Sequence, residues 1–192
     1  MRGVSRFAET LPALTLLLYL LASEPPAVCL LFFSALTTHE WGHLAAFRLV
    51  RAGTPHFSFE GVGVRLFPQA PLLPREEALV AIAGPFFNLA FAALALRFGR
   101  GEFFFLAAII HLLFGLSNLL PFGSCDGERL LRLLLLPLFP RHACFVVSFL
   151  GIVCLALFFY FSLFVYYLTG DGLCGVLFSL FFLLREEKAP AV

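Results

Sequence analysis

Residues 27–50 read AVCLLFFSALTTHEWGHLAAFRLV, an apolar run long enough for a membrane helix that holds Thr38-His39-Glu40-Trp41-Gly42-His43 within it. On a helix, residues four apart project about 40° from each other, so His39 and His43 can aim imidazole nitrogens at one ion. Glu40 projects about 100° from His39, within reach of water at that ion. A soluble helix can show two His and a Glu to solvent at little cost, which is the plain reading of the same pattern. Inside a bilayer, ionisable side chains must find partners or an ion, and the metal reading prevails.

Outward from this stretch, the 192 residues are 61% hydrophobic and 13% charged, with a mean hydropathy of +0.97. An ordinary globular domain carries about a quarter charged residues, so a buried soluble core does not account for this composition. The expected fold class is an all-α polytopic membrane protein, with room for about six transmembrane helices of about 20 residues each. A net charge of +1 and the lack of a basic run argue against nucleic acid as a partner. Cys29, Cys125, Cys144, Cys154 and Cys174 form no CxxC pair. Most lie in apolar segments, so neither a disulfide framework nor a Cys-based zinc site is expected.

Apolar runs bounded by charges or Pro place spans near 8–23, 27–50, 77–97, 103–120, 143–168 and 173–184. Arg2 and Arg6 before Leu11–Ala22 give the start a superficial likeness to a signal peptide. With no small-x-small cleavage site followed by a soluble domain, a first span fits better. Glu24-Pro25-Pro26 separates the first span from the second, because Pro suits the first turn of a helix and not its interior. All Arg and Lys except Arg97 and Arg100 fall on one side of these spans, so both termini are expected to be cytoplasmic. The second helix then runs inward, with His39 and His43 in its inner half.

Between the second and third spans, Gly53–Arg75 is rich in Gly and Pro and contains the alternating stretch Phe57–Leu66. Alternation predicts a membrane-associated strand or hairpin, at the interface or beside a watery cavity, since sheet edges cannot face lipid. A plain interfacial loop is the alternative.

A catalytic zinc site generally has three protein ligands plus water, so His39 and His43 need a third. His111 and Asp126 are the candidates near membrane depth. The fourth helix runs inward and is expected to break at Pro121 and Gly123, bringing Asn118–Gly127 level with the two His. Asp126 also neutralises one metal charge, which favours it. His111 reads first as a packed polar residue, with a secondary ligand or hydrogen-bond donor as its functional alternative. Asn88, in Ala83-Gly84-Pro85-Phe86-Phe87-Asn88, and Asn118 are amides in apolar helices that must bond to another helix or to a substrate.

His39-Glu40-x-x-His43, Gly84-Pro85-x-x-Asn88 and Asn118-x-x-Pro121-x-x-x-x-Asp126-Gly127 together resemble the site-2 protease family of intramembrane zinc metalloproteases, over about residues 27–135. The six-span layout looks most like the stage IV sporulation protein FB branch. The resemblance implies that His39, His43 and Asp126 bind one zinc ion, that Glu40 activates the attacking water, and that Asn88 and Asn118 lie near substrate. It further implies one integral membrane protease unit over 1–192, with a catalytic core at about 27–135 and C-terminal helices at about 143–184, in a bacterial cell membrane with its active site opening to the cytoplasm. The substrate would be a membrane protein, cut in or near a transmembrane segment in regulated intramembrane proteolysis or pro-protein processing. A regulatory membrane partner or a homo-oligomer would be compatible with that role. The segment Phe57–Leu66 is similar to the family's membrane-associated strand region, which suits pairing with an unwound substrate.

Cys125 stands where relatives commonly have Leu, and Glu128 where they often have a second Gly. No PDZ-sized insertion and no C-terminal nucleotide-sensing domain are expected. The rival reading is a membrane zinc-binding transporter or sensor without proteolysis; Glu40 discriminates, because moving an ion needs no base beside it. A prenyl-protein processing peptidase is a further rival, but there the third ligand is usually Glu and the chain much longer. An idle membrane scaffold would have no reason to keep every one of these groups.

Overall fold

The computed structural model describes residues 18–51, 53, 56–60, 63–68, 71–122, 125–170, 173, 175–177 and 179–180. Helix α1, Pro26–Leu49, begins where Glu24-Pro25-Pro26 ends the helical residues 18–23. Pro26 at its first turn lacks only an N–H that the helix would leave unpaired. Strands β1, His56–Glu60, and β2, Gly63–Phe67, pair antiparallel, with His56 opposite Phe67 and Glu60 opposite Gly63. The alternating stretch therefore folds back on itself, and its outer edges stay open among the described residues.

Helix α2, Pro74–Phe98, starts a few residues before the expected span, because Pro74 opens it and Glu76 Oε2 accepts the Leu73 N–H at 2.9 Å. Helix α3, Glu102–Asn118, follows Gly101, whose φ of 89° makes the tight turn between them. After the break at Pro121, helix α4, Asp126–Leu135, forms where the sequence reading expected only an interrupted segment. Its charges explain it. Asp126 and Glu128 lie in the first turn, Arg132 in the last, and Glu128 and Arg132 pair one turn apart. Helix α5, Ala143–Thr169, closes at Gly170, where φ is 74°.

Helix α2 is the centre of the packing: α1, α3 and α4 all lie against it, and α5 meets α4. The contact of α1 with α2 buries Phe47 among the smaller Ala46, Val80 and Ala83. Gly42 is the closest point, since a Cβ there would lie 2.5 Å from Ala83 O and 3.0 Å from Gly84 Cα. Such close approach of backbones is the usual means of helix association where apolar burial gives no drive.

Two of the described helices, α2 and α5, are long and apolar enough to cross a bilayer, and α3 is a shorter apolar helix of 17 residues. Helix α1, at 24 residues, rises about 36 Å and has the length as well, but its Thr, His and Glu lower its hydropathy. The expected spans at 8–23 and 173–184 fall largely outside the described residues, apart from helical positions 18–23, 173, 175–177 and 179–180.

Helix α4 is pinned to α2 by Arg129 Nε, which donates to Glu77 Oε1 at 2.6 Å, with the two side chains 34% and 32% exposed. At that exposure solvent screens most of the attraction. Glu77→Gln should therefore cost less than about 1 kcal/mol, read as a small fall in thermal midpoint in detergent.

Candidate metal centre

The i,i+4 spacing on α1 turns His39 and His43 toward α2 and buries them to 5% and 8% exposure. Their rings meet edge to face with centroids 4.6 Å apart, and their Nε2 atoms are 3.0 Å from each other. His43 Nδ1 lies 2.8 Å from Val80 O. A carbonyl can only accept, so Nδ1 carries the ring proton and Nε2 keeps its lone pair for an ion. Phe114 of α3 covers the other side of His39, with ring centroids 5.5 Å apart.

Asp126 comes from the first turn of α4, where the positive end of the helix favours a carboxylate. Its Oδ2 lies 3.0 Å from His39 Nε2 and 3.3 Å from His43 Nε2, without hydrogen-bond alignment to either. One ligand atom from each of His39, His43 and Asp126 lies within 4.8 Å of the others, which defines the group that could hold a metal. Tetrahedral ligands about 2.0–2.1 Å from zinc stand about 3.3–3.4 Å apart, so these separations suit one small ion. Two imidazoles and one carboxylate are also a donor set zinc accepts. Glu40 Oε2 is buried and has no hydrogen-bond partner among the described residues, a costly arrangement that a proton-bearing reactant would relieve.

Glycines set these distances. A Cβ on Gly84 would lie 2.5 Å from His43 Nε2 and 2.8 Å from His39 Cε1, so α2 offers the two rings a flat seat. A Cβ on Gly127 would overlap the Leu119 carbonyl at the end of α3, so only glycine lets α4 start there. Gly127→Ala should displace Asp126 and weaken zinc binding about 10–100-fold, as measured by competition with a chromophoric chelator. Unchanged affinity would show that α4 can shift without moving the carboxylate.

His111, the other candidate third ligand, is not in the group. It is fully buried, with Nδ1 3.1 Å from the Asn88 amide and Nε2 3.1 Å from Ser34 Oγ. Asn88, expected to face either another helix or a substrate, is also fully buried, and its amide lies 3.4 Å from His39 Nδ1. Both ends of that amide are thus engaged, and it stands behind the ligand. Asn118 ends α3 half-buried, its Nδ2 donating to Phe114 O at 2.9 Å. The sequence reading missed Ser34 and the seating role of Gly42; Gly84 reads from sequence as a point of close helix approach, without the two rings it meets. A lone hydroxyl five residues before His39 was the available signal for the first.

No family model matches this chain, and no curated protein matches it. Among solved structures it is similar to the Site-2 Protease from Methanocaldococcus jannaschii, with a TM-score of 0.66 and 18% identity over 95% of this chain and 87% of that one. At that identity the likeness is one of fold: the chain has the helical fold of a site-2 protease.

Proposed function

We propose that the chain is an intramembrane zinc metalloprotease that hydrolyses a peptide bond in or near a transmembrane segment of a membrane-protein substrate. One observation carries this reading: ligand atoms of His39, His43 and Asp126 converge from two helices next to a buried, unpartnered Glu40 oxygen. The likeness in fold to a site-2 protease supports it.

In this reading His39, His43 and Asp126 hold one zinc ion and Glu40 is the general base. Bound zinc supplies Lewis acidity toward water and a peptide carbonyl. Glu40 takes a proton from water as the water oxygen bonds to the carbonyl carbon. When the C–N bond breaks, Glu40 returns that proton to the leaving amine. Asn118, at the broken end of α3, is assigned to the substrate backbone. The open edges of β1 and β2 offer strand addition to a substrate segment that must leave its helix before its carbonyl is accessible.

The wider layout we infer has six spans, both termini and the active-site opening on the cytoplasmic side, and most likeness to the stage IV sporulation protein FB branch. The test is co-expression with single-span candidate substrates, comparing wild type with Glu40→Gln. Cleavage that needs Glu40 and stops on zinc chelation supports the reading, and cleavage by the Gln variant rejects it.

A further inference from the structure

Polar side chains, fully buried at Asn88 and His111 and half-buried at Ser34, form a continuous line away from His39 across three helices. Behind its ring, Asn88 Nδ2 of α2 lies 3.4 Å from Nδ1, and His111 Nδ1 of α3 lies 3.1 Å from Asn88 Oδ1. Ser34 of α1 is 3.1 Å from His111 Nε2 and donates to Leu31 O at 2.7 Å. Asn88 and His111 have no exposed surface, and Phe91 stacks on the His111 ring with centroids 4.0 Å apart.

We propose that Asn88, His111 and Ser34 are positioning residues that hold the His39 imidazole as an Nε2 metal ligand. The inference rests on the metal site assigned above. Valence then fixes every direction along the line. A ligating Nε2 needs its lone pair, so the His39 ring proton sits on Nδ1 and requires an acceptor. The amide meets that need once turned by half a revolution from the orientation just given, which brings Oδ1 toward His39 and NH2 toward His111 by exchanging two nearly identical atoms. Its NH2 then donates to His111 Nδ1, which leaves the His111 proton on Nε2, donating to Ser34 Oγ. The Ser34 hydroxyl ends the line on Leu31 O.

With the His39 lone pair on Nε2 reserved for the ion, each donor has one acceptor, and the line ends on a backbone carbonyl, which only accepts. Interhelical adhesion alone would need no such order. An acceptor behind a metal-bound imidazole fixes its tautomer and ring orientation, and losing one generally costs about 10–100-fold in metal affinity. His111, one side chain beyond Asn88 on this line, would act on the ion through Asn88.

The test uses the detergent-purified full chain with Asn88→Ala, His111→Leu and His111→Gln. Two measurements are made: Zn2+ affinity by chelator competition, and the visible absorption bands of the Co2+-loaded protein. Asn88→Ala and His111→Leu should each weaken Zn2+ by about 10–100-fold and shift the Co2+ bands. His111→Gln should restore most of that loss, because Gln can accept from Asn88 and donate to Ser34. Wild-type affinity and unchanged bands in Asn88→Ala and His111→Leu would overturn the proposal. Equal weakening by Leu and Gln would also overturn it, since it would point to ring packing. If His111→Leu does not fold, Ser34→Ala removes the last link with one atom deleted and should move both readouts the same way by less; no movement rejects the proposal. Wild type that binds neither metal removes this inference together with the assigned function, whereas wild type that binds metal while Glu40→Gln still cleaves removes the function alone.

Discussion

Glu40→Gln protein should bind zinc with wild-type stoichiometry and lose cleavage by at least about 100- to 10,000-fold, the usual contribution of a positioned general base. The substitution keeps the side chain's length and nearly its volume, so α1 and its packing against α2 should be undisturbed. It removes the one property the chemistry needs, a carboxylate able to take a proton and return it. The separation of effects is the informative part. The group that could hold the ion is His39, His43 and Asp126, whose ligand atoms cluster without Glu40. Loss of zinc in a folded Gln variant would make Glu40 a ligand, and full cleavage with zinc bound would remove its role as base. The same pair of measurements separates a protease from an ion carrier, which would keep its metal traffic.

Gly84→Ala should reduce zinc affinity by more than about 100-fold, beyond the 10–100-fold typical of losing a supporting group. One methyl is added, yet its carbon would stand 2.5 Å from His43 Nε2, 2.7 Å from His43 Cε1 and 2.8 Å from His39 Cε1. An imidazole is rigid, so the clash cannot be absorbed by a flexible chain end. The rings must rotate away from Asp126, or α1 must move off α2. Local propensity works the other way, since Ala is favoured over Gly in a helix interior by about 1 kcal/mol. Helix content should therefore persist while the metal site is lost, read by circular dichroism beside metal content. Full zinc occupancy in a folded Ala variant would show that the two rings do not flank the ion as placed.

The contrast between Gly84 and His39 shows where the sequence was legible. His39, Glu40 and His43 are related by the rotation of one helix, and 100° per residue is the same wherever the helix sits. Pro26 marks a helix start for an equally local reason. Asp126 was reachable by reasoning about depth and charge, although the helix it opens was not foreseen. Helix α4 is short and lies between apolar runs, so no span-length apolar pattern marks it. Asn88 was left between adhesion and substrate binding, because an amide in an apolar helix must bond to something and the chain does not say to what.

The sequence by itself determined the helical class and the placing of His39, Glu40 and His43 on one helix, and it set the expectation of a third ligand. These follow from composition, periodicity and coordination number, all of which are properties of single segments or of the ion. Only the tertiary structure decided that Asp126 meets both imidazoles while His111 does not. It also decided that Asn88 backs His39, and that Gly42, Gly84 and Gly127 set how closely the helices approach. Those outcomes depend on contacts between segments far apart in the chain, where a shift smaller than a methyl group decides whether three ligand atoms can share one ion.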